Sequence, residues 1–180
     1  GDIDILWDTT TSVPISGVVS TTYNGGDTDT KKESLATTTT LSSCPTLLEV
    51  TIPTGNVITG VDVSYTMTAL NGAFMSQQRS YIRAGTPGAS SSPTAVKESL
   101  VSSGSGDSTG TQAYSRSSLT FADGLSGTVE FALHAFRTGL TGASCGLTHN
   151  KVDNGTFTIT VYYAGYSTED TIYSLQPGTY

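Results

Sequence analysis

The sequence predicts an all-β fold, an antiparallel β-sandwich, jelly-roll-like or Greek-key, of eight to ten short strands. Three observations lead there. Apolar and polar residues alternate in several runs, most clearly Val61, Val63, Tyr65, Met67 and Ala69 against Asp62, Ser64, Thr66 and Thr68, which is the period of a strand with one buried face. Turn-forming clusters such as Asn24-Gly25-Gly26-Asp27, Thr54-Gly55-Asn56 and Asn71-Gly72 divide those runs. No stretch of normal helical length spaces its apolar residues as an amphipathic helix would.

Taken in order, Ile3 to Trp7 is an expected edge strand, and Val13 to Tyr23 a second, irregular at Pro14 and Gly17. Lys31 to Thr40 is polar and stays open between loop and weak strand. Leu47 to Ile52 is a short strand stopped by Pro53. After the strand around Val61 to Ala69, Phe74 to Arg83 is expected as a strand of unusual polarity. Gly85 to Pro93 is a loop, Ala95 to Val101 a short strand, and Ser102 to Gly110 a Gly/Ser-rich loop. Thr111 to Phe121 is a further strand, and Thr171 to Leu175 a possible last one.

The strongest pair is Thr128 to Arg137 with Thr156 to Tyr163. In the second run Phe157, Ile159, Val161 and Tyr163 point one way, and Thr158, Thr160 and Tyr162 the other. In the first, Val129, Phe131, Leu133 and Ala135 oppose Glu130, Ala132, His134 and Phe136. We read them as two core strands joined through a loop carrying Cys145 and the hairpin turn Asp153-Asn154-Gly155.

The 180 residues make one domain, or one module or repeat of a larger surface protein. Hydrophobic content of 36%, charged content of 13% and 20 glycines suit an extracellular all-β module. Disorder is set aside because the apolar residues gather into alternating runs. A net charge of −7 argues against a sequence-independent grip on nucleic acid or anionic lipid. No segment reaches the ~20 apolar residues of a membrane helix. Gly1-Asp2-Ile3-Asp4 lacks the basic start and apolar stretch of a signal peptide, so we expect a mature protein or a module of a longer one. Cys44 and Cys145, with no Cys-x-x-Cys and no His at metal-ligand spacing, are read as a disulfide of an oxidising compartment, against the alternative of two buried thiols.

Few residues suggest chemistry. His134 shares a strand face with Glu130, but about 13 Å of rise separates them, so a buried structural histidine is the better reading. His149 lies near Cys145, and a thiol–imidazole pair would be nucleophilic only with a free thiol. The best polar constellation is the alternating set Gln77, Arg79, Tyr81 and Arg83, whose amide, guanidinium and phenol groups suit sugar hydroxyls or a glycan carboxylate. An internal hydrogen-bond network is the competing reading. Any ligand is expected on that face, with help from the Gly85–Pro93 or Ser102–Gly110 loop. Asp2, Asp4 and Asp8, and Asp27 with Asp29, leave calcium possible without diagnosing it; no other cofactor is expected. Thr66/Thr68 and Thr158/Thr160 are read as ordinary solvent-facing threonines. No zinc motif, phosphate loop or nucleophile elbow occurs, so the chain is not expected to be an enzyme.

Several short stretches, taken together, resemble a known kind of module: Val50-Thr51-Ile52-Pro53 with Ile58-Thr59-Gly60-Val61, Met75-Ser76-Gln77-Gln78-Arg79-Ser80, His134-Ala135-Phe136-Arg137-Thr138, and Val152-Asp153-Asn154-Gly155-Thr156-Phe157. Over Leu48 to Tyr163 the chain resembles a β-sandwich module of large secreted and cell-surface proteins of Bacteroidota, especially gliding flavobacteria, whose proteins typically leave by type IX secretion. In those relatives Trp tends to stand at Phe74, Phe136 and Phe157, Glu at Gln77, and an aromatic at Gly139; Phe at the first three suits core packing better than sugar stacking. The resemblance also implies O-glycosylation at Asp-Ser/Thr-x sites, here Thr9, Ser108 and Thr171. The functional expectation is a non-catalytic extracellular module for adhesion or surface assembly. Its partner would be a surface glycan or a neighbouring protein module, with homo-assembly open. The alternative is a carbohydrate-binding module attached to a polysaccharide-degrading enzyme.

Overall fold

The computed structural model describes residues 10–33, 41–88, 97–139 and 144–170. The described residues form ten strands: β1 (Thr10–Thr22), β2 (Thr28–Lys32), β3 (Thr46–Thr51), β4 (Asn56–Ala69), β5 (Gln78–Gly85), β6 (Lys97–Ser103), β7 (Gly110–Leu119), β8 (Thr128–Arg137), β9 (Cys145–Val152) and β10 (Thr158–Asp170). One 3₁₀ turn, Met75–Gln77, precedes β5. The strands expected at Ile3 to Trp7 and Thr171 to Leu175 lie outside the described residues.

The fold is all-β and built as two layers. In the first, β1 pairs with β10, β10 with β4, and β4 with β7, all antiparallel. In the second, β3 and β5 flank β8, and β6 pairs with β5, again antiparallel. A corner joins the layers: β9 pairs with the end of β4 and with β2, whose Lys31 and Lys32 run parallel to Phe136 and Arg137 of β8. At the two sides β1 lies against β3 and β6 against β7, so the layers nearly close on each other.

The alternation in the sequence places the core. Ile58, Val61, Val63, Tyr65 and Met67 of β4, with Ile159 and Val161 of β10, face Leu48, Val50, Ile82, Phe131 and Leu133 of the second layer, all buried. Burying a side chain of this size contributes about 1.5–3 kcal/mol relative to leaving it exposed. Strand β8 departs from alternation because it is buried on both faces from Val129 to Arg137. Its outer side chains are covered by neighbouring segments: Ser42 N–H donates to His134 Nδ1 at 3.0 Å, and Gly88 N–H donates to Glu130 Oε1 at 3.1 Å.

The structure corrects the expected hairpin. Thr128–Arg137 and Thr158–Asp170 do not pair; they lie in different layers, and β9 intervenes in the chain. Gly155 takes a positive φ of 72°, but Asn154 does not join it, so the two-residue hairpin geometry is not made. The segment turns β9 into β10, and both neighbour β4 on the same side, one after the other. Phe74 to Gln77 is also not strand but the 3₁₀ turn and its cap. Lys31 and Lys32, left open by the sequence, close strand β2.

Candidate functional site

The polar constellation chosen from the sequence exists as a face but is not an open one. Arg79, Tyr81 and Arg83 stand opposite Phe136, His134 and Ala132 on the outer side of the second layer, as alternation requires. Tyr81 and Arg83 are buried, and Tyr81 packs edge-on against Phe136 with ring centroids 5.8 Å apart. Arg79 is half-buried, and its Nη1 donates to the carbonyls of Ser76 at 2.7 Å and Gln78 at 2.6 Å. Gln77 lies in the 3₁₀ turn, its Oε1 accepting from Phe74 N–H at 3.1 Å. These contacts fasten the turn to β5. The loop at Gly104–Gly110 docks on the same turn, with Met75 N–H donating to Ser108 O at 3.0 Å and Ser76 N–H to Gly106 O at 2.9 Å. Of the loop at Gly85–Pro93, residues 89–93 lie outside the described residues.

The opposite side of β5 points into a buried polar network that sequence reading missed. Tyr114 OH donates to Gln78 Oε1, Gln78 Nε2 donates to Asn150 Oδ1 at 2.8 Å, and Thr30 Oγ1 donates to Asn150 O at 2.6 Å. Arg137 Nη1 donates to the Thr30 carbonyl. Tyr65 stacks on Tyr114 at 5.2 Å and shares a hydrogen bond with Ser80. Burial raises the Tyr114 phenol to about 12, against a smaller opposing pull from the Arg79 charge. Six strands meet in this network, and the groups bonded in it are committed to the fold.

The cysteines are bonded, with Cα atoms 6.3 Å apart, tying the segment before β3 to the first residue of β9. The thiol needed for a Cys145–His149 nucleophile is thereby consumed. His134 is fully buried, and because its Nδ1 accepts from Ser42, its ring proton sits on Nε2 in the neutral form. Asp27 accepts from Lys151 Nζ at 2.5 Å and from Asn154 N–H at 2.9 Å, which together lower its pKa. No group of three or more His, Cys, Asp or Glu side chains placed to hold a metal occurs among the described residues. Asp2, Asp4, Asp8, Thr9 and Thr171 lie outside them; Ser108 is exposed. Of the three phenylalanines, Phe136 and Phe157 pack in the interior, whereas Phe74 is 39% exposed.

The open surface is the outer face of the first layer. Val18, Val57 and Tyr162 are three of its exposed large apolar residues, and Val18 and Tyr162 are direct cross-strand partners. Around them stand hydroxyls, some bonded in pairs: Ser20 with Thr160 at 2.9 Å and Thr22 with Thr158 at 2.7 Å. Farther along, Thr66 and Thr68 each donate to Asp153 Oδ2 at 2.8 Å.

Tyr162 gives this face its shape. Its β4 partner is Gly60, and a Cβ there would lie 3.9 Å from Tyr162 Cδ2. The phenol hydroxyl reaches on to donate to Asp62 Oδ2 at 3.0 Å. The ring therefore lies across the strand over Gly60, with Tyr162 still 42% exposed. The Asp62 carboxylate raises the Tyr162 pKa, chiefly by accepting its hydrogen bond and also by its charge. Asp62 Oδ1 accepts from Ser118 N–H at 2.8 Å, and Ser118 holds a φ of 58° where β7 slips register against β4 between Val61 and Val63. Thr59, Gly60, Asp62, Ser118, Thr120 and Tyr162 line a cleft of about 320 Å³. Thr59 is shared with a groove of about 630 Å³ that runs past Val57, Ile15 and Pro14. The signal for Tyr162 and Asp62 was present in the alternation, which put an aromatic and a carboxylate on solvent faces; the Gly60 beneath the ring is set by register.

No family model matches the chain, and no curated protein matches it. Among solved structures it is similar to the infectious bursal disease virus VP2 subviral particle, at 10% identity and a TM-score of 0.40 over 86% of this chain and 37% of that one. A structure of the Gx strain of the same virus gives 10% identity and a TM-score of 0.42 over 84% and 36%. Mud crab tombus-like virus gives 9% identity and a TM-score of 0.36 over 95% and 96%. The chain thus spans little more than a third of the first two.

Proposed function

We propose that this chain is a non-catalytic contact module of a secreted or cell-surface protein, which adheres to or assembles on a surface through the outer face of β1, β10, β4 and β7. The observation that carries this reading is the contrast between the layers. The described outer face of β5 and β8 is covered by its own loops, while the first layer leaves Val18, Val57 and Tyr162 exposed on one face. Exposed apolar residues grouped on one face of a small domain mark an interaction surface more often than scattered ones do. The Cys44–Cys145 bond supports an oxidising, extracellular setting.

The test is retention of the purified chain on cellulose, chitin and mucin-coated plates, with sedimentation to read self-association. A Val18→Glu/Val57→Glu variant should lose at least about tenfold in retention or self-association, as burying two apolar side chains would require. A control pair elsewhere, Leu47→Glu/Leu147→Glu, should leave both unchanged. Equal loss in the two pairs, or a wild-type chain that neither adheres nor associates, overturns the reading. A second reading, a carbohydrate-binding module carried by a polysaccharide-degrading enzyme, is favoured by the Tyr162 ring lying beside Asp62.

A further inference from the structure

We propose that the cleft between Tyr162 and Asp62 is a subsite for a neutral pyranose ring, continued by further sugar residues along the groove beside it. The inference deepens the contact-module reading and rests on it.

Three features build the site. The first is the platform. Held at its base by β10 and at its hydroxyl by Asp62, and lying over a residue without a side chain, the Tyr162 ring is fixed in a plane along the sheet. A flat, exposed aromatic face suits the C–H face of a pyranose, since it is apolar and loses little rotamer freedom on binding.

The second is the carboxylate. An ionised carboxylate offers about four acceptor positions, and Asp62 spends one on Tyr162 OH and one on Ser118 N–H. An acceptor position remains on each oxygen, a spacing suited to two adjacent sugar hydroxyls. Those bonds would be charge-assisted and correspondingly strong. Thr59, Ser118 and Thr120 add hydroxyls around the rim.

The third is the backbone. Ser118 holds a left-handed conformation without being glycine, at an irregularity in the β4–β7 ladder. Strained residues and bulges of this kind persist where the surroundings impose them, and they often re-aim a side chain at a binding site. Here the strained residue turns its N–H onto Asp62 and fixes the carboxylate beside the ring.

Charge selects the ligand class. Among the described residues no lysine or arginine lines the cleft and its one carboxylate is Asp62, and the whole chain carries −7. Uronic acids and sulfated sugars are repelled, so the substrate class is a neutral polysaccharide. The cleft volume of about 320 Å³ is at the small end for ligand sites and suits one ring. Through Thr59 the chain would extend past Val57 and Ile15.

Calorimetric titration of the full chain with cellohexaose, xylohexaose, mannohexaose and maltohexaose tests this, with hexagalacturonate as the anionic control. At least one neutral hexaose should bind, and hexagalacturonate should not. Tyr162→Ala should weaken that binding by about tenfold or more, and Tyr162→Phe, which keeps the platform, by no more than about threefold. Asp62→Asn should weaken it too, and provides the second variant if Tyr162→Ala is poorly folded by circular dichroism. Wild-type binding that survives both Tyr162→Ala and Asp62→Asn overturns the site, as does tighter binding of hexagalacturonate. Retention of the wild-type chain on mucin-coated plates without binding to any neutral hexaose overturns the sugar subsite alone and leaves the contact module standing. Loss of both removes both.

Discussion

Tyr114 shows how much a single residue's setting escapes the sequence. The sequence placed it on an expected strand, Thr111 to Phe121, but gave no sign that its hydroxyl would meet Gln78, a residue of another layer. Its pKa, raised to about 12 from 10.0, has a definite consequence for stability. A phenol that prefers to stay protonated in the fold contributes stability that is complete below about pH 10 and is lost as the pH climbs toward 12. Tyr81 is shifted the same way by burial. The melting temperature should therefore fall across that alkaline window. Tyr114→Phe should start lower at neutral pH, by about 1 kcal/mol for the donor that Gln78 loses, yet fall less steeply above pH 10. A variant as steep as the wild type would place the sensitivity in other groups. Arg79 makes the complementary point: its residue type suggested ligand contact, whereas its nearest acceptors are two carbonyls of its own turn. Residue type and strand face were legible; which atoms fill the space around a side chain was not.

At the scale of elements, long and strongly alternating strands were readable and weakly patterned ones were not. β4 and β10 fall where the alternation put them. β9, Cys-Gly-Leu-Thr-His-Asn-Lys-Val, was missed because its exposure does not alternate cleanly and only Asn150 and Val152 are fully buried. Missing it made its neighbours look like a hairpin. Gly104 governs a different element, the loop docked on the 3₁₀ turn. A Cβ at Gly104 would stand 1.9 Å from the Met75 carbonyl oxygen, a backbone atom that cannot swing away. Gly104→Ala should cost about 1–3 kcal/mol, the usual range for forced overpacking. Hydrogen exchange should locate the damage: the Met75 and Ser76 amides, which bond to this loop, should exchange faster while those of β8 stay protected. Uniform loss of protection would show that the loop is part of the global core instead.

For the whole molecule, the sandwich, the disulfide and a single set of core faces were legible because hydrophobic period and cysteine count are global signals. The layer that stays open was not, since it depends on where loops fold back over β8. The Cys44–Cys145 bond spans 101 residues of sequence. In the chain-entropy account a loop of that length is worth about 4–5 kcal/mol. Replacing both cysteines by serine should lower the unfolding free energy by about that much, measured in urea. Intact mass should rise on alkylation only after reduction, and native protein that takes up two alkyl groups without it would contradict the bond.

Strand β1 starts where β10 stops, with Thr10 opposite Asp170. Tension applied through those two residues would therefore load the β1–β10 ladder from one end, opening its hydrogen bonds one after another as a zipper opens. Such an edge yields at low force. The unravelling meets a covalent stop, because Cys44 and Cys145 hold everything between them in a closed loop that pulling cannot lengthen. A module so connected would give way early, lengthen by a fixed amount and then hold, behaving as a short shock absorber with a built-in limit.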